Sequence, residues 1–146
     1  QLETLVRDIT PAHSTLMQEF WPGPLTLLFE PRSVILDNVS AGLIGIRQPG
    51  NSMTRDLISS FGQAITAPSA NLSGEAPPTS AKQVEQSLGS HLDLIIDGGT
   101  CPGGEPSTLV DATETPVRLI RPGAIPFIDI EVTLRGNTKP DQPEIL

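Results

Sequence analysis

The sequence predicts an α/β or α+β fold built on one open twisted sheet. Short apolar runs typical of strands alternate with amphipathic helical segments, and the chain then ends in a β-rich region. A length of 146 residues fits one domain that can bury a core without disulfides or metal ions. Because only 3% of the residues are aromatic, we expect a core built mainly from Leu, Ile and Val.

The bulk properties disfavour two classes of function. The chain has 17 acidic and 9 basic residues, and the resulting net charge of −8 repels nucleic-acid phosphates. No apolar run approaches the roughly 20 residues that cross a bilayer. The single cysteine, Cys101, cannot form an internal disulfide, which favours a reducing compartment. We therefore predict a cytoplasmic protein without membrane association.

Three segments carry helix signals. Thr10 can cap a helix that Pro11 begins and that the Pro-Gly-Pro at 22–24 ends. Residues 51–62 place four apolar side chains on one helical face, and Gly62 can end this helix. Ser80 and the glutamine three residues later have the spacing of a capping box, which predicts a third helix.

Six short apolar runs predict strands, and they lie at 25–29, 42–47, 63–67, 92–97, 107–113 and 117–123. The last two runs are joined by a turn. Residues 31–42 predict a loop or hairpin, and the sequence from Phe127 is mixed in character and then polar. We therefore predict a domain over residues 1–126 and a C-terminal tail over residues 127–146.

Several of these strands end in polar or glycine residues. Because ligands bind at strand ends in open α/β sheets, we expect one pocket from the residues that follow or border these runs, namely Arg47, Ser69, Asn71, Ser107 and Arg121. The apolar run 63–67 should be buried, so that Ser69 and Asn71 are held rigidly. The pocket offers guanidinium, hydroxyl and amide groups and no distinct catalytic residue. It is suited to positioning and neutralising an anion.

Each of these features has an alternative interpretation. The segment 68–71 could be a capped turn whose Ser and Asn bond their own backbone, and both arginines could be solvated. Ser69 lacks the Gly-x-Ser-x-Gly setting of a hydrolase nucleophile. The glycine-rich stretch 98–107 could bind an anion or be a flexible connection, but it lacks the ending of a Walker loop.

The histidines and the cysteine give no catalytic or metal-binding pattern. His13 and His91 stand in polar surroundings, and we predict both at the surface. Cys101 has no second thiol or histidine nearby. We therefore predict no metal site formed by the protein itself.

Taken together, the segments resemble the YrdC/TsaC family. The segments that carry the likeness are "FWPGPLTLLF", "GIRQPGN", "APSANLSGEAPPTSAKQV", "DLIIDGG", "GEPSTLVDAT" and "RLIRPGAI". They stand in the family's order, at about its spacing, over roughly residues 10–125. The resemblance implies a YrdC-like open twisted mixed sheet with flanking helices.

Members of this family are threonylcarbamoyl-AMP synthases. The resemblance therefore implies a nucleotidyltransferase that joins L-threonine, bicarbonate and ATP, in the pathway that modifies adenosine 37 of tRNA. It implies ATP as a substrate, Mg²⁺ on the triphosphate and tRNA-modification partner proteins. Direct RNA binding should be weak at this net charge.

The resemblance also assigns roles to individual residues. Nucleotide contacts are implied for Ser69, Asn71, Pro77 and Arg121. Threonine contacts are implied for Arg47, Ala67 and Ser107, with Arg47 holding the carboxylate.

The chain departs from the family pattern at its start. The family opens with a Pro-Thr-(Glu/Asp)-Thr-x-Tyr-Gly-Leu segment and a Lys-x-Arg motif that grips the triphosphate, and neither occurs here. We expect an N-terminally incomplete domain, and the lost motif counts against activity of this chain by itself. Two other interpretations stay open: a carbamoyl-adenylate-forming module of the hydrogenase maturation type, and a non-catalytic nucleotide- or RNA-binding remnant.

Overall fold

The computed structural model describes residues 1–32, 42–101 and 104–136, and these form two compact units. The first, here called the sheet unit, comprises residues 1–55 and the chain from Glu105 onward. The second, here called the inserted unit, comprises residues 56–104. Most of the predicted loop or hairpin at 31–42 lies outside the described residues, as does the end of the predicted tail.

The sheet unit contains a four-stranded mixed sheet. Its strands are β1 (Leu25–Phe29), β2 (Ile44–Ile46), β3 (Thr108–Asp111) and β4 (Arg118–Arg121), in the order β2-β1-β3-β4. β1 is antiparallel to β2 and parallel to β3, and β3 is antiparallel to β4. With helices packed on its core, this sheet confirms the predicted fold class.

The core lies on one face of this sheet. Alternate residues of β1 point into it, and Leu25, Leu27 and Phe29 are fully buried. The other buried apolar residues are Val6, Leu16, Val110, Ala112 and Ile130. The core is therefore aliphatic apart from one phenylalanine, as predicted. Burying each large side chain contributes about 1.5–3 kcal/mol to the free energy of unfolding.

Within its described residues, the sheet unit contains three complete helices: α1 (Leu2–Leu5), α2 (Pro11–Phe20) and α5 (Phe127–Gly136). α2 begins as predicted, because the Thr10 hydroxyl accepts a hydrogen bond from the His13 backbone N–H at 3.2 Å. No helix among the described residues has the length and apolar character needed to cross a membrane.

Helix α5 occupies Phe127–Gly136, where the sequence was mixed in character and predicted no particular element. Ile130 is fully buried, and Phe127 and Leu134 pack against the same core. These residues have the spacing of one helical face, so packing on the core stabilises the helix. The mixed composition concealed this periodicity.

The prediction of a surface position for His13 was wrong, because this side chain is buried in the core. Its Nε2 donates to the Leu28 carbonyl at 2.9 Å, and its Nδ1 accepts from the Thr10 backbone N–H at 3.1 Å. These contacts require the neutral Nε2–H tautomer. The ring stacks on Phe29 with 4.2 Å between centroids. Because both ring nitrogens are hydrogen-bonded and the ring stacks on an apolar side chain, the burial of this polar residue costs little free energy.

A buried carboxylate closes the β3–β4 hairpin. Asp111 accepts hydrogen bonds from the Thr113 hydroxyl at 2.6 Å and from Arg118 Nη2 at 2.7 Å. Burial of Asp111 acts to raise the pKa of its carboxyl, but the hydrogen bonds from Thr113 and Arg118 outweigh it and leave the pKa below its ordinary value. The turn between the two strands, which the sequence predicted, is thus fastened by a charged group.

The inserted unit contains most of helix α3 (Ser52–Phe61), which begins in the sheet unit, together with α4 (Ala81–Leu88) and a 3₁₀ turn at Gly89–His91. Gly62 ends α3 with a φ of 77°, as predicted.

The capping box predicted for α4 is only half formed. The Ser80 hydroxyl accepts from the Gln83 backbone N–H at 3.4 Å. The Gln83 side chain, however, accepts from the Thr79 backbone N–H at 2.7 Å instead of the N–H of Ser80.

Two predicted strands of the inserted unit are not formed. Residues 63–67 and 92–97 have no regular secondary structure, and their apolar side chains are exposed except for the half-buried Ile95, with Leu94 at 76%. The predicted burial of the run before Ser69 was therefore wrong. An apolar run becomes a strand only when a neighbour pairs with its backbone, and no described residue pairs with either run.

The burial of His13 predicts an acid-sensitive stability. Burial lowers the pKa of His13 below its ordinary value, and the Leu28 carbonyl and the Asp111 charge oppose this only in part. The unfolded chain then binds a proton at a higher pH than the folded chain, so the free energy of unfolding falls as the pH drops below about 6.5. We expect His13→Gln to weaken the fall in Tm between pH 7 and pH 5.

The other histidine provides the matched control. His91 is exposed, and its ring contacts only the adjacent Ser90 hydroxyl among the described residues. The His91→Gln variant should keep the pH dependence of the unaltered chain. Equal pH profiles of Tm in the two variants would contradict the assignment to His13.

The loop after β4 depends on a close backbone approach at Gly123. A Cβ atom at this position would lie 2.6 Å from the Ser107 carbonyl carbon and 2.6 Å from the Thr108 nitrogen. We expect Gly123→Ala to lower the free energy of unfolding by about 1–3 kcal/mol, as overpacking does. Gly136 is the control, because no atom of the described residues lies within 4 Å of its Cβ position. Denaturant unfolding that gives equal stabilities for Gly123→Ala and Gly136→Ala would refute the steric argument.

Candidate functional site

Three of the predicted site residues lie at one end of the sheet. Arg47 directly follows β2, Ser107 directly precedes β3, and Arg121 is the last residue of β4. The register pairs Leu25 with Thr108 in parallel strands, so β1 and β3 begin at this end. The antiparallel strands β2 and β4 finish there.

This arrangement refines the prediction that strand ends converge. In open α/β sheets, ligands are expected at the carboxyl ends of the parallel strands. Here the residues gather at the amino ends of the two parallel strands, because each of the other two strands runs in the opposite direction. We refer to this end, with its residues Arg47, Ser107 and Arg121, as the arginine end of the sheet.

Ser107 and Arg121 are in direct contact. Arg121 Nη2 donates to the Ser107 carbonyl at 2.9 Å and lies 3.3 Å from the Ser107 hydroxyl. Ser107 is half-buried, and Arg121 is exposed. The guanidinium is thus held at one nitrogen, and most of its charged surface faces solvent.

Arg47 is fixed by a different loop. Its Nε donates to the Gly23 carbonyl at 2.8 Å, and the Gly23 backbone N–H donates to the Gln48 carbonyl at 2.9 Å. No ion pair within the described residues involves Arg47 or Arg121. The two arginines therefore present positive charge at the arginine end without a carboxylate to neutralise it.

Thr26 belongs to the same end, although the sequence analysis did not select it. Its hydroxyl lies 2.7 Å from the Ser107 hydroxyl. The available signal was a polar residue inside the apolar run "LTLLF", at a position that alternates with the buried residues of β1. Such a position is expected on the outer face of a sheet, which is why the pattern alone gave it no role.

The segment after β4, residues 122–125, holds the backbone on either side of Ser107. Thr108 Oγ1 donates to the Ile125 carbonyl at 2.7 Å and accepts from the Ile125 N–H at 2.9 Å. The Ala124 N–H donates to the Pro106 carbonyl at 2.9 Å. Gly123 permits this approach, as described above. The Arg-Pro-Gly sequence thus fixes the backbone on both sides of Ser107.

The other four predicted residues lie in the inserted unit. Ala67 and Ser69 are exposed in a segment without regular structure. Asn71 is half-buried, and its Nδ2 donates to the carbonyls of Leu72 at 3.0 Å and Glu75 at 3.1 Å. The Asn71 side chain therefore bonds the backbone of its own turn, as in the alternative interpretation of segment 68–71 as a capped turn. Its Oδ1 is buried and has no hydrogen-bond partner among the described residues.

Asn71 and Pro77 line one groove beside α4. The groove has a volume of about 230 Å³, and its other lining residues are Glu75, Ala76, Pro78, Gln83 and Ser87. The structure brings these two predicted nucleotide contacts together. The lining supplies amide, carboxylate and hydroxyl groups together with proline and alanine surface.

The described residues contain no group of three or more His, Cys, Asp or Glu side chains that could hold a metal ion. His91 and Cys101 are both exposed, and Cys101 carries a free thiol. Asp111, the buried carboxylate, pairs with Leu28 toward the opposite end of β1 from Leu25. The arginine end thus offers cationic and hydroxyl groups to a ligand, an arrangement suited to holding an anion.

Comparison with known proteins identifies relatives over most of the chain. The family model Sua5_yciO_yrdC, described as "Telomere recombination", matches residues 1–123. The threonylcarbamoyl-AMP synthase of Pyrococcus abyssi is 40% identical over 133 residues, which cover 90% of this chain and 39% of that protein. The corresponding protein of Bacillus subtilis is 39% identical over 137 residues, covering 92% and 40%.

Solved structures give the same result. Sua5 of P. abyssi, crystallised in complex with L-threonine, matches with a TM-score of 0.85 and 38% identity, covering 92% of this chain and 40% of that one. YciO of E. coli matches with a TM-score of 0.75 at 24% identity, which supports the fold alone.

The chain spans about 40% of the length of the P. abyssi and B. subtilis relatives. The predicted resemblance is confirmed by the family model, by the identities and by the shared fold. This chain belongs to the Sua5/YciO/YrdC family.

Proposed function

We propose that this chain acts in the synthesis of threonylcarbamoyl-AMP from L-threonine, bicarbonate and ATP. The observation that carries the proposal is the arginine end of the sheet, where Ser107 and Arg121 are in contact and Arg47 adds a second unpaired guanidinium. Relatives with the name of this activity share 39–40% identity with the chain. One relative was crystallised with L-threonine.

Arg47 is the proposed partner of the threonine carboxylate. Its Nε is occupied by the Gly23 carbonyl, so the side chain is already oriented. Its two terminal nitrogens donate no hydrogen bond to the described residues and can donate to both oxygens of a carboxylate. Ser107 supplies a hydroxyl to the same ligand. Ala67 is assigned to the threonine contacts by its place in the family motif alone.

Arg121, Ser69, Asn71 and Pro77 are the proposed nucleotide contacts. One nitrogen of Arg121 is held by the Ser107 carbonyl, and the rest of its guanidinium is exposed. It can therefore donate to phosphate oxygens on which negative charge is concentrated during the reaction. Asn71 and Pro77 share a groove whose polar and apolar lining suits part of a nucleoside.

The chemistry can be performed by positioning. The threonine amine and bicarbonate form a carbamate with loss of water. A carbamate oxygen then attacks the α-phosphorus of ATP, and the bond to pyrophosphate breaks as the new P–O bond forms. Negative charge is concentrated on phosphoryl oxygens, so oriented cationic donors can stabilise the transition state without a protein nucleophile.

We propose that Mg²⁺ is bound with the triphosphate of ATP. The described residues do not form a cluster of metal-binding side chains, so they do not fit a resident metal site. The place of the metal ion is with the nucleotide as a substrate complex.

The product would be used in tRNA modification, at adenosine 37, by partner proteins. At a net charge of −8 the chain itself is a poor candidate for strong RNA binding. The exposed free thiol of Cys101 suits a reducing compartment, and we propose the cytoplasm.

The reaction is tested by measuring pyrophosphate release. With the proposed activity, release from ATP requires both L-threonine and bicarbonate, and omission of either should reduce it to background. Formation of AMP that depends on carbamoyl phosphate would instead indicate a carbamoyl-adenylate-forming module. Binding of ATP without turnover under all conditions would indicate a non-catalytic nucleotide-binding protein.

Substitution of Arg47 tests the threonine site. Arg47→Ala removes the donors of a charge-assisted pair, and we expect L-threonine affinity to fall by at least about tenfold in calorimetry. The variant should remain folded, with Tm lowered only by the loss of the hydrogen bond to the Gly23 carbonyl. Arg7→Ala is the matched control, because Arg7 is also exposed. The backbone of Arg7 and of the adjacent Val6 pairs with the residues that follow β1, whereas the arginine end lies where β1 begins. An Arg47→Ala variant that binds threonine as tightly as the control would refute the assignment.

A further inference from the structure

The hydroxyl groups of Thr26 and Ser107 form a pair that the proposed reaction does not yet use. Their oxygen atoms are 2.7 Å apart, the usual separation of two hydrogen-bonded hydroxyl groups. The residues are 81 positions apart in the chain and belong to different segments of the sheet unit. Such a contact depends on the pairing of β1 with β3 and not on local sequence.

The position of the Thr26 hydroxyl is set by the sheet around it. Thr26 pairs with Leu109 in the parallel ladder, and the Thr108 backbone N–H donates to the Pro24 carbonyl at 3.0 Å. A Cβ atom at Gly45 would lie 3.3 Å from the methyl group of Thr26, so this methyl group occupies space that the glycine of the neighbouring strand leaves open. A β-branched side chain has few rotamers.

The hydrogen bonds of the Ser107 hydroxyl can be counted. This group has one proton to donate and two lone pairs that accept. Arg121 Nη2, at 3.3 Å, can only donate, so it occupies one lone pair. When Thr26 donates to the second lone pair, the proton of Ser107 is left for a third partner. Ser107 then faces a ligand as a hydrogen-bond donor, the role that a carboxylate requires.

We propose that Thr26 is a positioning residue that fixes Ser107 as a hydrogen-bond donor to the carboxylate of threonine. The proposal rests on the proposed function and extends it by one residue. Thr26 acts through Ser107 and need not touch the ligand. Two donors directed at one hydroxyl oxygen also polarise its O–H bond, which strengthens the bond to an anionic acceptor.

A double-mutant cycle on the 146-residue chain separates this role from a structural one. Thr26→Val removes the hydroxyl and keeps the branched shape, and we expect L-threonine affinity in calorimetry to fall about fivefold, the effect of one hydrogen bond. Thr26→Ser, which keeps the hydroxyl, should stay within about twofold of the unaltered chain. In a Ser107→Ala background, Thr26→Val should change the affinity less than about twofold.

Each result supports or overturns the assignment. Unchanged affinity in Thr26→Val, or a fivefold loss that persists in the Ser107→Ala background, would overturn it while leaving the proposed function intact. Absence of threonine binding by the unaltered chain would overturn the proposed function and this assignment with it. If Tm shows that Thr26→Val is unfolded, Thr26→Ala takes its place in the cycle with the same expectations.

Discussion

The parallel pairing of β1 with β3 is the constraint on which the sheet unit depends. It joins residues 25–28 to residues 108–111, so the chain must return across about eighty positions to form it. The buried face of this pair carries Leu25, Leu27 and Val110, which form the centre of the core. A parallel pair needs a long connection, and here the connection includes the whole inserted unit.

The same pairing creates the arginine end of the sheet. Ser107 comes into reach of the Thr26 hydroxyl only because β3 begins beside the start of β1. The antiparallel outer strands then place Arg47 and Arg121 at that end. Hydrophobic burial on one face therefore determines the geometry of the charged groups at the edge. A change in the register of β1 against β3 would separate the polar groups as well as the core residues.

The distribution of charge in the sheet unit follows a simple division. At the opposite end of β3, the carboxylate of Asp111 is buried and paired with Arg118. In the core, His13 is neutral and both of its ring nitrogens are satisfied. At the arginine end, Arg47 and Arg121 form no ion pair with the described residues. This separation supports the proposal of an anion-binding site that functions by orientation and charge.

Local signals in the sequence were sufficient for the features that short segments determine. The caps and apolar periodicity predicted α2, α3 and α4, and the alternation of apolar residues predicted the four strands that form. The turn between β3 and β4 was also predicted, because the residues that form it are consecutive in the chain and can be recognised from a short segment. The sequence also showed that the candidate site would contain cationic and hydroxyl-bearing residues, because the type of each residue is known from the sequence itself.

Tertiary structure decided what depends on distant partners. Residues 63–67 and 92–97 have strand-like sequences, yet a strand requires a neighbouring backbone that no short pattern specifies. The burial of His13 depends on a carbonyl from β1 and a ring from Phe29, and α5 depends on the core that Ile130 enters. The contact of Thr26 with Ser107 has the same origin. Sequence patterns record periodicity and local hydrogen bonding, whereas these contacts arise from the long-range pairing of strands.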